Sequence, residues 1–198
     1  MDFPRKILSY LWQRFEMIRS TYPAKAVFFL MIILIPGACT KSGKTYSGEI
    51  ILSSEFNFET ATLSGYNFED EAFYTYPAGE HSAPDIIVDQ FRLLDGSIKP
   101  GFTSPDNLNG FALAGSFIEG EASMAFYNSL LTVEAFTSFS QSTDTVKPFQ
   151  VWVLKTARDS YAKLRVSDIR EVDDSYGTHL ELTIDYYYRP DGSTEFPK

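Results

Sequence analysis

From His179 to Tyr188 the chain alternates without a break. Leu180, Leu182, Ile184, Tyr186 and Tyr188 fall on one face, and His179, Glu181, Thr183, Asp185 and Tyr187 on the other. A period of two is the repeat of a pleated strand, and no helix can collect these side chains on one side. Pro190-Asp191-Gly192 then supplies a turn. Upstream, Tyr161 to Ile169 alternates in the same way, with Ala162, Leu164 and Val166 opposed to Lys163, Arg165 and Ser167. Phe149 to Thr156 is apolar on both faces except at Gln150 and Lys155, and Arg158-Asp159-Ser160 reads as the turn between these two strands. Glu171 to Gly177 reads as a polar connection. The C-terminal fifty or so residues thus predict an antiparallel three-strand meander whose aliphatic and tyrosine face enters a core.

The rest of the domain also reads mainly as strands. Glu55-Phe56-Asn57-Phe58-Glu59 alternates as a half-buried strand should. Asp85 to Phe91, bounded by Pro84 and by Asp95-Gly96, reads as a central strand covered on both faces. Residues 95–110 are rich in Gly, Pro and Asn and read as a long irregular loop of the kind that often carries function. The spacing of Met124, Tyr127 and Leu131, or of Phe126, Leu130 and Val133, predicts a helix over about 121–131, although Thr132 to Phe139 has β-branched and aromatic character that would also suit a strand. The expected fold is all-β and mainly antiparallel, with one or two short helices.

The N-terminal region is of another kind. Lys25 precedes an unbroken apolar run from Ala26 to Ile35, and Pro36-Gly37-Ala38 leads to Cys39, the sole cysteine. This is the anatomy of an export signal, and the run is too short for a permanent membrane span. The stretch resembles a bacterial lipobox, with Pro36 where such boxes usually carry Leu, Val or Ile. An ordinary cleaved signal and an uncleaved inner-membrane anchor are the alternatives. Residues 1–38 are therefore set apart from the fold, with Met17 as a second possible start; residues 39–48 read as a polar, lipid-anchored tether and 49–198 as a single domain. Residues 1–38 hold five Lys/Arg and two Asp/Glu, a charge of +3, so the remainder carries −9 − 3 = −12. A surface so acidic repels phosphate backbones and excludes a nucleic-acid role. With one cysteine no internal disulfide forms, and burial and hydrogen bonding must hold the fold.

Catalytic constellations are missing. The sequence has no Gly-Xaa-Ser-Xaa-Gly elbow, no phosphate loop and no His-Glu-Xaa-Xaa-His, and its two histidines, His81 and His179, rule out a histidine-rich metal cage. Asp173-Asp174 and Glu69-Asp70-Glu71 could attract calcium but read better as solvated turn charge. His81 in its loop and His179 on the polar strand face read first as solvent-exposed, and Met124 as a helix residue facing the core. The expectation is a protein that is not an enzyme.

Pro148 to Val166, with Lys155-Thr156 followed by Tyr161-Ala162-Lys163-Leu164, resembles the C-terminal signature of the HmuY family. Phe56 to Thr60, Asp85 to Val88 and Tyr186 to Gly192 are similar to other parts of it, though the family's Asp-Gly-Lys turn is here Arg158-Asp159-Ser160 and its middle tryptophan is absent. The resemblance implies an HmuY-like β domain, lipid-anchored through Cys39 in the outer membrane, that binds haem and passes it to an outer-membrane receptor or docks on another envelope protein. Characterised relatives hold the iron between two histidines or two methionines. Here Met124 is the only methionine after the signal, and the histidines are His81 and His179 alone. The residues the resemblance nominates for haem are Met124, His179 and His81 as ligands, with Tyr127, Phe126 and the 95–110 loop lining the site. The alternative is a structural or interaction lipoprotein without a small ligand.

Lipidation has a direct consequence. Acyl chains contribute about 0.8 kcal/mol per buried CH₂, and two chains suffice for stable anchoring. Cys39→Ser should move the protein from the membrane to the soluble fraction; unchanged membrane fractionation would identify an uncleaved helix instead.

Overall fold

The computed structural model describes residues 45–197 other than 80, 81, 109 and 176. Among the described residues, ten strands form two antiparallel sheets: β1 (Tyr46–Ser53), β2 (Phe56–Asn57), β3 (Thr62–Asn67), β4 (Ala72–Tyr76), β5 (Ile86–Arg92), β6 (Ile98–Thr103), β7 (Phe111–Ser116), β8 (Gln150–Lys155), β9 (Tyr161–Asp174) and β10 (Gly177–Arg189). The helix among the described residues, α1, spans Gly120–Ser129. The first sheet has the order β1-β10-β9-β8-β7; the second runs β2-β3-β5-β6, with β4 also paired to β3. The fold is all-β with one short helix, as the alternation predicts. No helix among the described residues is long and apolar enough to cross a membrane.

The two sheets bury their facing sides in one core. Leu52, Leu154, Leu164, Leu182 and Ile184 from the first sheet meet Tyr66, Ile86, Val88 and Phe102 from the second, with Phe68 from the turn after β3. The meander is present, and the inward series Leu180, Leu182, Ile184, Tyr186 and Tyr188 all lies in this core. The hairpin is longer than expected. Residues 171–174 continue β9, and Gly177 already pairs with Asp174, so the polar stretch is ladder rather than connection. Gly177 has φ +127°, a conformation that a side chain would strain, and this permits the tight reversal. A bulge places Ser167 opposite no residue of β10, between the pairs Thr183↔Asp168 and Ile184↔Val166. The extra residue reverses the alternation of β9, so Ile169 packs against the core although simple parity puts it with Lys163 and Arg165.

Several other expectations are corrected. The tether ends early, since Tyr46 to Gly48 are already in β1 and pair with Tyr188 to Tyr186. Residues 95–110 contain β6, in which Pro100 is tolerated because this is the last strand of its sheet. Residues 140–146 run between the two sheets, exchanging backbone hydrogen bonds with Phe111 of β7 and with Pro100, Phe102 and Ser104 in and beside β6. β5 is internal as expected, but only Ile86, Ile87 and Val88 are covered on both faces, and Phe91 is partly open. It crosses β3 where Gly65 has no side chain: a Cβ there would stand 2.5 Å from the Ile86 carbonyl oxygen. Thr132 to Phe139 forms no strand, only an isolated bridge from Thr132 to Glu195.

The outer face of the first sheet is where sequence and structure differ most. Lys163 and Arg165 alternate away from the core, yet both are buried. α1, of which only Ser123 and Tyr127 are buried, lies over them. Lys163 Nζ donates to the carbonyl oxygens of Tyr127 (2.9 Å) and Leu130 (3.1 Å), groups that a helix C-terminus leaves unpaired. The ammonium also stands over the rings of Tyr127, Phe196 and Tyr187 at 4.7, 5.3 and 5.7 Å. Burial pushes the pKa of Lys163 down and that of Tyr127 up. Arg165 Nε donates to Ser123 Oγ (3.2 Å) and Nη2 to the Gly120 carbonyl (3.3 Å), while Nη1 pairs with Asp185. Two neighbouring outward positions of β9 thus hold the two ends of α1.

Arg165→Ala should lower stability by roughly 2–3 kcal/mol, less than for a fully buried pair because Asp185 keeps some contact with water. Amide exchange should speed up in α1 before it does in β9 or β10. Unchanged protection of α1 would mean that Tyr127 and Lys163 hold the helix without Arg165.

Candidate functional site

A cleft of about 370 Å³ opens at the end of the sandwich where β10 begins. It is shaped by four pieces of chain: the exit of β1 into β2, β3, the outer half of β5, and the β9–β10 hairpin. Phe56, Phe58 and Leu63 make an apolar side, and Glu55, Asp89, Gln90, Arg92, Asp174 and His179 contribute polar and charged groups. Phe56 and Phe58 are more than a third exposed, with ring centroids 5.1 Å apart in an edge-to-face arrangement. The alternation of Glu55 to Glu59 is therefore not that of a half-buried strand. β2 is two residues long, and the Asn57 side chain turns the chain by accepting from the backbone N–H groups of Glu59 and Thr60.

Ser54 and Gln90 brace the back of the cleft. Ser54 exchanges hydrogen bonds with Leu180 of β10, its backbone N–H donating to the Leu180 carbonyl and its Oγ accepting from the Leu180 N–H, both at 2.9 Å. Its Oγ also donates to Gln90 Oε1 (2.9 Å), and Gln90 Nε2 reaches the Thr178 carbonyl (3.4 Å). These bonds tie β5 of the second sheet to β10 of the first.

His179 sits against this brace. The strand alternation suggests a solvent-exposed side chain, but His179 is only 7% exposed, because the hairpin and the chain around Ser54 close over it. Its Nδ1 stands 3.6 Å from Asp174 Oδ2 and its Nε2 4.0 Å from Glu181 Oε1. Asp174 is oriented by accepting from the Gly177 N–H (3.1 Å), and Glu181 by Arg170, whose Nε donates to Oε2 (2.7 Å).

The structure does not assemble Met124, Phe126 or Tyr127 around His179. Met124 is on the exposed side of α1 and not in the core. Phe126 packs against Phe117, and Tyr127 is buried beneath the Lys163 ammonium. α1 is fixed over Arg165 and its partner Asp185, and Asp185 lies six residues along β10 from His179. At strand rise that is about 20 Å. None of the described residues of the 95–110 stretch lines the cleft. His81 and Cys39 lie outside the described residues.

The cleft residues the sequence reading passed over are Glu55, Phe56, Phe58, Gln90, Arg92 and Asp174. One signal was legible: an acidic pair, Asp173-Asp174, and His179 flank a short turn, and closing that turn as a hairpin brings them together. No family model matches the chain, and no curated protein matches it.

Met124→Ala should change stability by no more than about 0.5 kcal/mol, as expected of an exposed position, and should leave ligand binding in the cleft unaltered. A larger loss of stability would place Met124 in a packing role that its exposure contradicts.

Proposed function

We propose that the chain is a non-enzymatic, lipid-anchored envelope protein of the HmuY type that binds a flat, largely apolar small molecule in the cleft beside His179. The observation that carries this reading is the pair of exposed phenylalanines, Phe56 and Phe58, forming with Leu63 one side of a concave site supplied with Gln90, Arg92 and His179. Solvent-exposed aromatic rings in a polar cleft cost stability in the free protein and suit stacking on a planar ligand. The Pro148 to Val166 signature and the lipobox-like Cys39 support the family and the anchor. The chain enters β1 at Tyr46, opposite Tyr188, and leaves it at Ser53, opposite Glu181, beside the cleft. The cleft therefore lies at the Ser53 end of β1, opposite the end that begins at Tyr46.

Among the described residues, no second nominated iron ligand stands with His179 in the cleft. Of Met124, Tyr127 and His179, only His179 lines the cleft, and its ring is buried between two carboxylates. The proposed contact is through the porphyrin face rather than through paired axial ligands.

Haemin and iron-free protoporphyrin, titrated separately and followed by absorbance, test this. Both should bind saturably and with similar affinity, and Phe58→Ala should weaken both about tenfold, the equivalent of one aromatic contact of about 1.4 kcal/mol. Binding of haemin alone would show that iron ligation drives capture. Binding of neither would leave the interaction lipoprotein as the better reading.

A further inference from the structure

We propose that Glu55, Asp174 and His179 form a binding site for a divalent transition metal such as Zn²⁺. One donor atom from each residue lies within 4.8 Å of the other two, a spacing that an ion can close with small side-chain rotations. The histidine supplies an independent argument. Its side chain is nine-tenths buried, yet Nδ1 and Nε2 face carboxylate oxygens at 3.6 and 4.0 Å, both beyond hydrogen-bond length. A buried imidazole normally donates one hydrogen bond and accepts another. Here the Asp174 carboxylate stands beside Nδ1 at the separation of two ligands on a common ion. With metal–ligand bonds of about 2.1 Å, the edge of a tetrahedron is about 3.4 Å, close to the 3.6 Å between Nδ1 and Asp174 Oδ2.

The surroundings fit this assignment. Asp174 accepts from the Gly177 N–H through Oδ1, and its Oδ2 stands 3.6 Å from His179 Nδ1. Glu181, fixed by Arg170, faces the opposite ring nitrogen. A carboxylate that accepts from the far nitrogen sets the tautomer of a metal-bound histidine, and Glu181 would have to close from 4.0 Å to do so. Glu55 is exposed at the exit of β1, with its backbone N–H held by Ser53 Oγ at 3.0 Å, and its carboxylate can complete a third ligand. One imidazole with two carboxylates favours zinc-like ions over calcium, which takes six to eight oxygens. Three protein donors leave a fourth position open, as in open zinc sites.

The test uses metal alone and no porphyrin, so it succeeds or fails independently of the planar-ligand reading. The full-length chain carrying Cys39→Ser, which removes the competing thiol, is stripped with chelator and titrated calorimetrically with Zn²⁺ and with Ca²⁺. One Zn²⁺ should bind per chain and raise the melting temperature, while Ca²⁺ should bind at least tenfold more weakly. Glu55→Gln and His179→Gln should each weaken Zn²⁺ binding at least tenfold. Because Glu55 is exposed, its variant folds normally and decides the matter even if His179→Gln is destabilised. No saturable Zn²⁺ binding, or binding undiminished in Glu55→Gln, would overturn the proposal.

Discussion

The pairing of β9 with β10 is the constraint on which the rest of the molecule depends. These two long strands occupy the middle of the first sheet and are laddered from Tyr161↔Arg189 to Asp174↔Gly177. Their inward side chains supply Leu164, Val166, Leu182, Ile184, Tyr186 and Tyr188 to the sandwich core. Burying aliphatic and aromatic groups on this scale is the dominant favourable contribution in a chain that cannot form an internal disulfide. The second sheet rests on this surface: Tyr66 and Phe68 pack edge-on to Tyr186 or tilted against it, and the Tyr66 and Tyr186 hydroxyls share a 3.1 Å hydrogen bond.

The same hairpin organises the opposite face with different chemistry. Outward positions that look hydrophilic, Lys163 and Arg165, become buried anchors because each finds enough partners to offset its desolvation. The helix they hold is short and has few buried residues of its own, so its place on the sheet is set by these contacts rather than by an apolar stripe. Beside it, Val133, Val153 and Phe196 form a second, smaller cluster that closes this layer.

At its turn the hairpin also shapes the candidate site. Running the ladder to Asp174 and Gly177 carries the acidic stretch and His179 to the edge of the sandwich, where Ser54 and Gln90 join the two sheets. The cleft is thus composed of groups distant in sequence. Phe56, Gln90 and His179 meet because the exit of β1, the outer half of β5 and the start of β10 converge at one end of the sandwich. α1 and its Met124 lie farther along β10, over Asp185, about 20 Å from His179, so the structure does not bring Met124 beside it.

By itself the sequence determined the strands of the meander, the inward face of β10, the helix near 121–131 and the all-β class. These are carried by local periodicity, and a period of two or of 3.6 residues can be read without knowing what it packs against. It did not determine that the outward face of β9 is covered, that Glu55 to Glu59 holds only the two-residue β2 before a turn, with open phenylalanines, or that β6 lies inside an apparent loop. Whether a polar face meets water or another layer depends on a second element, and a lysine looks the same in either place. The bulge at Ser167, which returns Ile169 to the core, is a property of two strands together. Only the tertiary structure could gather Glu55, Asp174 and His179, because their proximity depends on where the chain leaving β1 meets the β9–β10 turn, a long-range contact that no local pattern encodes.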